Sequence, residues 1–315
     1  MLKNVKSKLI MNLIFKHMKN KRKLKITKYN KRMQNILYIT KKDFEVYETL
    51  KELNDQYNLN VDDIDNRELN IRGKYIENVG FEDLTKIEFK NIFKLDISYN
   101  YLSSMTLLLK MNLKGLQILD ISYNKISDIN ILEQLISKNL KELNLSRNII
   151  SDINILEKVN FIKLTNLDLS YNEISDISVL KKVNFRELQE LYLNNNKIAD
   201  INILQKVNFK ELKLLDLSEN EISDINILEK VNFKILDKLY LSDNNIENIN
   251  VFEKVNFKGL QELNLSNNKI SDINMIKKIN CKNLKELDLR GNKIKRKDYS
   301  SIIDSLPYEI KKSYI

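Results

Sequence analysis

The chain has 315 residues, a formal net charge of +10 and an apolar content of 43%. A chain of this length makes one large domain, two ordinary ones or a repeat array. Residues 1–42 hold fourteen Lys or Arg and no acid, so the net charge is −4 from Asp43 onward. This distribution excludes a uniformly basic binding surface and confines contact with nucleic acid or an anionic membrane to residues 1–42.

Residues 1–42 are predicted to form a flexible basic arm. The apolar stretch Leu9–Phe15 is interrupted by Asn12 and no small-residue cleavage site follows it. It is therefore a poor signal peptide and too short for a membrane span. Two alternatives remain open, a nuclear-import signal at Lys19–Lys25 and an amphipathic helix that anchors the chain to an anionic membrane.

An N-terminal cap is predicted over residues 43–91. Asp43–Tyr57 carries apolar residues at helical spacing, including Leu50 and Leu53, which predicts a helix. A degenerate first repeat follows with Leu69, Ile71 and Ile76, and its register differs by two residues from that of the later repeats.

Nine repeats of 24 residues are predicted over residues 92–294. An asparagine recurs at every 24th position from Asn100 to Asn292, within the pattern L-x-x-L-x-L-x-x-N-x-I. The L-x-L alternation predicts a short strand with one buried face. About fifteen residues separate successive strands, too many for a hairpin, so the strands are expected to stack in parallel.

The second half of each repeat is predicted to form one or two helical turns on the outer side. In Ser223–Phe233, Asn226 and Glu229 have the spacing of a helix capping box, and Leu228 and Val231 are expected to pack inward. A phenylalanine recurs near the end of this segment, from Phe161 to Phe257. Residues 295–315 are expected to form a C-terminal cap, with a closing helix at Lys297–Ser305.

Two polar ladders are interpreted as structural. The repeated asparagine amides are expected to pair with backbone groups where each strand turns outward. An aspartate also recurs on the outer side, and we expect backbone N–H groups of the following turn to compensate its charge. Calcium coordination is the alternative for these aspartates, which are Asp128, Asp152, Asp176, Asp200, Asp224 and Asp272.

No catalytic or cofactor constellation is evident. The lone cysteine, Cys281, occupies a phenylalanine-ladder position and is predicted to be a small buried apolar residue. The lone histidine, His17, lies in the basic arm. The prediction is a protein that is not an enzyme, with no cofactor and no metal site. A single cysteine also excludes an intrachain disulfide framework and favours a cytoplasmic location, or a nuclear one through Lys19–Lys25.

The repeat resembles the leucine-rich-repeat family. Its N-x-I-S-D-I segment is most similar to repeats of the type-1 protein phosphatase regulatory subunit and of bacterial internalins, although those repeats are typically 22 residues long. The resemblance implies an α/β solenoid: a right-handed superhelix with a parallel sheet on its concave face, short helical turns on its convex face, and a concave face that binds protein.

Candidate binding residues are those that vary between repeats on the inner face. Acids dominate one row and tyrosines cluster toward the N-terminal half, where their rigid rings suit a binding hot spot. The predicted partner therefore has a basic or mixed charge. The candidate residues are Tyr99, Tyr123, Tyr171, Asp96, Asp120, Asp168, Arg147, Tyr192, Asp216 and Tyr240.

The leading functional prediction is a monomeric interaction scaffold that regulates a bound enzyme such as a phosphatase. Two alternatives stay open. One is an internalin-like surface or secreted adhesin, and the other is a nucleic-acid or membrane-associated protein that acts through residues 1–42.

Overall fold

The computed structural model describes residues 28, 31, 34–35, 40–59, 61, 67–89, 92–135, 138–279 and 281–295. The basic arm, apart from a few of its residues, and the predicted C-terminal helix at Lys297–Ser305 lie outside this part of the chain. Within the described residues no helix is long and apolar enough to cross a membrane.

Ten short strands form a single parallel sheet in chain order. They are β1 (Glu68–Asn70), β2 (Lys94–Asp96), β3 (Ile118–Asp120), β4 (Glu142–Asn144), β5 (Asn166–Asp168), β6 (Glu190–Tyr192), β7 (Leu214–Asp216), β8 (Lys238–Tyr240), β9 (Glu262–Asn264) and β10 (Glu286–Asp288). Each pair from β2 onward is offset by 24 residues, as in Leu95↔Leu119, whereas Leu69 of β1 pairs with Leu95. The parallel solenoid and the two-residue shift of the first repeat are both confirmed.

Two α-helices pack together at the N-terminal end of the solenoid. The first, α1 (Lys41–Tyr57), lies where the spacing predicts it and starts with a capping box between Thr40 and Asp43. The second, α2 (Glu77–Thr85), takes the place that single 3-10 turns occupy in later repeats, and the sequence analysis did not predict it. The hydroxyl of Tyr57 donates to Asp83 at 2.9 Å and joins the two helices.

A continuous apolar core runs along the solenoid. The strand leucines, the isoleucines after the asparagine ladder and the phenylalanine ladder are buried in it. Leu228 and Val231 also pack inward as predicted. Neighbouring repeats cover each other's flat sides, which is how a unit too small for its own core becomes stable.

The outer segments are single 3-10 turns, without the predicted capping box. They span Thr106–Lys110, Asn130–Gln134, Asn154–Glu157, Ser178–Lys181, Asn202–Lys206, Asn226–Glu229, Asn250–Glu253 and Asn274–Lys278. The turn at Asn226 begins after Ile225, and no side chain caps it in the predicted way. Asp224 instead accepts the backbone N–H of Asn226 at 2.8 Å.

The glutamates assigned to the capping box make ion pairs between repeats. Glu157 contacts Lys182 at 2.7 Å, and Glu253 contacts Lys278 at 2.9 Å. Because these pairs are exposed, each contributes little to the free energy of unfolding, about 0–1 kcal/mol.

Candidate functional site

The acidic row, which includes Asp96, Asp120, Asp168 and Asp216, lies at the ends of the strands. Its side chains accept hydrogen bonds from the turn that follows each strand. Asp120 accepts both the backbone N–H of Ser122, at 2.9 Å, and its hydroxyl, at 2.7 Å. Asp168 does the same with Ser170. Asn144 holds Ser146 through the same two bonds. Since an amide replaces the carboxylate without changing the geometry, these side chains serve as acceptors and their charge is not required.

These carboxylates, predicted as binding residues of the inner face, have limited access to solvent. Asp96 is buried, and Asp120, Asp168 and Asp216 are only partly exposed. Burial raises the pKa of Asp120 and of Asp216, and the hydrogen bonds from Ser122 and Ser218 oppose that rise.

Tyr192 and Tyr240 lie in the same row, and each donates a hydrogen bond to a glutamate in the C-terminal half of the sheet. The Tyr192 hydroxyl donates to Glu190 at 3.0 Å, and the Tyr240 hydroxyl donates to Glu262 at 2.6 Å. Lys238 pairs with Glu262 at 2.7 Å. Burial, reinforced by the neighbouring glutamate, raises the pKa of each tyrosine. Both phenols are therefore neutral donors at physiological pH.

The other candidate residues lie just beyond the strands, at a position where the backbone is left-handed. Their φ values are 59° at Tyr99, 53° at Tyr123, 52° at Arg147 and 53° at Tyr171. The row continues at the same 24-residue step with positive φ at Asn195, Glu219, Asp243, Asn267 and Gly291. These residues were predicted to lie on the inner face, but their left-handed backbone was not predicted.

The sequence does contain a signal for the left-handed position. Gly291 occupies it in the last described repeat, and Gly73 aligns with it beside β1; their φ values are 70° and 63°. Asn and Asp, which tolerate positive φ better than most residues, occupy it at 195, 243 and 267. The same 24-residue alignment that locates the strands thus indicates a special backbone at this position.

Four residues of the left-handed row stack on one another in the N-terminal half, and Arg72 extends the stack. We name this set of five residues the aromatic–cation ladder. The rings of Tyr99 and Tyr123 are stacked with centroids 3.8 Å apart. Arg72 lies 4.5 Å from the Tyr99 centroid. Arg147 lies 4.7 Å from the Tyr123 centroid and 3.6 Å from that of Tyr171. The ladder therefore runs Arg72–Tyr99–Tyr123–Arg147–Tyr171 across five neighbouring repeats.

A second, more exposed row runs beside the ladder, and the sequence analysis missed it. Tyr75 and Tyr101 stack at 5.6 Å, and the ammonium group of Lys125 lies 5.1 Å from the Tyr101 centroid. Tyr75 is 67% exposed and Tyr101 is 50% exposed. Ile149 ends this flanking row and is also exposed. Alignment of these residues at the repeat step would have revealed the row.

The C-terminal half of the left-handed row has a different chemistry. Asn195 donates to Glu219 at 2.5 Å, and Asn267 donates to Asp243 at 2.9 Å. These pairs join amides to carboxylates and contain no aromatic ring. The aromatic and cationic character is thus specific to the N-terminal half, whereas the backbone geometry is common to both.

The outer aspartates bind backbone, as the sequence analysis predicted. Asp152 accepts the N–H of Asn154 at 2.8 Å, and Asp200 accepts that of Asn202 at 2.7 Å. Asn248 does the same for Asn250 at 2.8 Å. Since an uncharged amide suffices at one repeat, the shared role is to accept a hydrogen bond from the turn. Over the described ranges, no three His, Cys, Asp or Glu side chains are placed to hold a metal ion.

The predicted burial of Cys281 is confirmed, with 4% of the residue exposed. Burial raises the pKa of its thiol to about 12. The thiol is therefore protonated at neutral pH and shielded from reagents. His17 lies outside the described residues.

Family models match most of the repeat region. Models described as leucine-rich repeats match residues 234–294, 138–182 and 186–231, and two further leucine-rich-repeat models match 116–129 and 283–308. Together with the parallel solenoid, these matches place the chain in the leucine-rich-repeat family. A search of curated proteins gave no match.

Solved structures include several similar solenoids. Internalin C2 from Listeria monocytogenes is 26% identical with a TM-score of 0.55, over 66% of this chain and 83% of that one. The ectodomain of the Arabidopsis thaliana receptor kinase GASSHO1/SCHENGEN3 is 24% identical with a TM-score of 0.53, over 70% of this chain and 27% of that one. The Arabidopsis receptor kinase HAESA is also 24% identical, with a TM-score of 0.52, over 69% of this chain and 36% of that one. The likeness to the two plant receptors concerns the fold alone.

Proposed function

We propose that this protein is a non-enzymatic scaffold that binds a protein partner on its sheet face and on the adjoining aromatic–cation ladder. The observation that carries the proposal is the ladder itself. Leucines and asparagines recur because each repeat needs them to pack on its neighbour. The ladder residues Tyr99, Tyr123, Arg147 and Tyr171 occupy a position that other repeats fill with Asn, Glu or Asp. The solenoid therefore does not require them.

The exposure of apolar side chains supports the same location. Of the eight large apolar side chains that the described part of the chain exposes, four lie in the ladder or in its flanking row: Tyr75, Tyr101, Tyr123 and Ile149. Clustered exposed apolar surface marks interaction sites, whereas scattered single residues do not. Tyr and Arg are also the residue types that dominate binding hot spots.

Stacking also prepares the ladder for binding. Each ring or guanidinium is already held by its neighbours, for example Arg147 between Tyr123 and Tyr171. Less side-chain conformational entropy is therefore lost when a partner binds than would be lost if these side chains were mobile. The ladder thus offers rigid contact area at low cost.

The comparisons support a binding role of this general kind. The structures of the two plant receptors are complexes: GASSHO1/SCHENGEN3 with CASPARIAN STRIP INTEGRITY FACTOR 2, and HAESA with the peptide hormone IDA and the co-receptor SERK1. For the present protein we propose a monomer that binds its partner in the cytoplasm, where it could regulate a bound enzyme such as a phosphatase. An adhesin at the cell surface is the second candidate, favoured by the likeness to internalin C2. Fractionation of the source cells separates the two locations.

The test is quantitative affinity capture from the source cells with wild type and two variants. The first replaces Tyr99, Tyr123 and Tyr171 by Asn, which the chain itself carries at this left-handed position at 195 and 267. The matched control replaces Glu219 and Asp243 by Asn in the other half of the same row. Loss of a partner with the first variant alone supports the proposal. Recovery of the same partners at equal yield with all three proteins refutes it.

A further inference from the structure

Arg147 is held in a geometry suited to an anion. Its guanidinium lies between the rings of Tyr123, at 4.7 Å, and Tyr171, at 3.6 Å. The N–H groups of a guanidinium lie in its plane, so a group covered by rings above and below donates through its edge. Across the residues that the structure describes, the Arg147 side chain makes no hydrogen bond or ion pair with another residue.

Arg72 repeats the arrangement at the other end of the ladder. Its guanidinium lies 4.5 Å from the Tyr99 centroid, the residue is exposed, and within the described ranges it makes no ion pair. Lys125, over the ring of Tyr101, adds a third positive charge beside the two arginines. One edge of the solenoid therefore presents several cations held on aromatic faces.

The nearby carboxylates do not neutralise these cations by direct contact. Asp96 accepts the N–H and the hydroxyl of Ser98, at 3.0 and 2.6 Å, and Asp120 is held in the same way by Ser122. Both are turned toward their own backbone and are largely buried. The guanidinium donors thus remain directed at solvent. The ladder therefore favours an acidic partner, whereas the acidic row led to the prediction of a basic or mixed-charge one.

The spacing of the two arginines sets the length of a matching ligand. Arg72 lies in the first repeat and Arg147 in the fourth, and the distances along the stack place their guanidinium groups at most about 13 Å apart. An extended peptide advances about 3.3 Å per residue and points every second side chain to the same face. Side chains at i and i+4 therefore lie on one face about 13 Å apart.

From this match we infer that the ladder binds an extended acidic segment of a protein partner, with one Asp or Glu at Arg72 and another four residues away at Arg147. Carboxylates fit the planar fork of a guanidinium with two parallel hydrogen bonds. The intervening residues pack on the edges of Tyr99 and Tyr123. This inference rests on the proposed function and specifies the chemistry of the partner.

The first test uses labelled peptides of defined sequence with the full chain, read by fluorescence polarisation. The probe is a twelve-residue Ser/Thr/Val peptide with Glu at positions 4 and 8. One comparison peptide has Gln at both positions, and another has Glu at positions 4 and 7, which face opposite sides of an extended chain. We expect the Gln peptide to bind about tenfold more weakly or worse, and the 4/7 peptide to bind more weakly than the 4/8 peptide. Equal binding of the Glu and Gln peptides would overturn the inference.

The second test separates the arginine fork from charge in general, which matters because residues 1–42 are basic. Arg147→Gln removes the fork, Arg147→Lys keeps the charge without the fork, and the control Arg186→Gln removes one exposed positive charge from an outer loop. We expect about a tenfold loss for Arg147→Gln, a smaller loss for Arg147→Lys and none for Arg186→Gln. Equal losses for Arg147→Gln and Arg186→Gln would show attraction by net charge alone and would reject the site.

The two proposals fail in distinguishable ways. If the Tyr→Asn triple variant loses a partner while Arg147→Gln retains it and binds the acidic peptide like wild type, the ladder binds protein but not through carboxylates. If neither variant changes any binding, both proposals fail. Thermal unfolding followed by circular dichroism verifies that each variant is folded before its binding is compared.

Discussion

The side-chain amide of Asn172 donates to the carbonyl of Leu145 in the preceding repeat at 3.1 Å, while its oxygen accepts the N–H of Ile150 at 3.0 Å. The same amide donates to Leu169 within its own repeat at 3.1 Å. One buried side chain thus satisfies backbone groups of two repeats where the strands end. This relationship explains why asparagine recurs at this position.

Asn172→Ala should lower the free energy of unfolding by about 2–3 kcal/mol, because the buried N–H of Ile150 loses its acceptor. Urea unfolding followed by circular dichroism measures the change. The exposed Asn208 in an outer loop is the matched control, and Asn208→Ala should change the free energy by less than about 0.5 kcal/mol. Equal effects at the two sites would show that the asparagine ladder does not join the repeats.

The repeat architecture was predictable because it is set by local periodicity. Leu143 and Leu145 alternate along a strand, and the 24-residue step fixes which residues pair, so the sheet, its register and the buried asparagines follow from the sequence. The outer turns were predicted less well. The capping box needs a capping residue in extended conformation before a true helix, whereas Asn226 is itself the first residue of a short 3-10 turn.

The site was only partly predictable for a related reason. Tyr99, Tyr123, Arg147 and Tyr171 were identified because they vary between repeats, but sequence alone gave no indication that their side chains stack. That stacking depends on the positive φ which directs each of them to the same edge. The hydrogen bonds that the neighbouring acids accept from serines two residues later were not predicted either.

The left-handed row yields a prediction about backbone strain at Glu219, whose φ is 52°. Glu219→Val should lower the free energy of unfolding by about 1–2 kcal/mol, because Cβ branching is disfavoured at positive φ. Glu219→Asn should be tolerated, since Asn occupies the position at 195 and 267. Denaturant unfolding of both variants measures the difference.

The control for this prediction is Glu221→Val, two residues further along the turn, where the residue is exposed and lacks a positive φ. A cost at Glu221 as large as that at Glu219 would assign the effect to loss of the glutamate side chain and not to the backbone.

Asp216 yields a prediction about pH. Burial holds its pKa above the ordinary value of 3.8. The folded state therefore binds more protons than the unfolded state between these two pKa values, and its stability falls as the pH rises through that interval. Asp216→Asn keeps an acceptor for the Ser218 N–H and removes the charge, as Asn144 and Asn264 do in other repeats. We expect the variant to unfold about 1–2 °C above wild type at pH 7.

The pH dependence of this gain is the decisive measurement. The difference between Asp216→Asn and wild type should shrink as the pH is lowered toward 3.8 and vanish below it, where the wild-type carboxyl is protonated in both states. Asp216→Ala removes the acceptor as well, so it should be less stable than Asp216→Asn at every pH. A gain for Asp216→Asn that stayed constant down to pH 3.8 would contradict a charge penalty at this site.

Cys281 offers a reporter for unfolding of the C-terminal repeats. Only 4% of the residue is exposed, and burial raises the pKa of its thiol to about 12, so a thiol reagent at pH 8 should react with it only when the repeat opens. The expected rate in the native protein is at least about a hundredfold below that in 6 M guanidinium chloride, where the thiol is free.

Leu287→Ala, which removes a fully buried side chain from the neighbouring strand β10, should accelerate the reaction, because it destabilises this end by about 2–5 kcal/mol. Leu119→Ala makes an equivalent cavity in β3, seven repeats away. Because each repeat contacts only its neighbours, it should leave the rate at Cys281 nearly unchanged as long as the C-terminal repeats open on their own. Equal acceleration by both substitutions would instead mean that the thiol becomes accessible only when the whole solenoid unfolds.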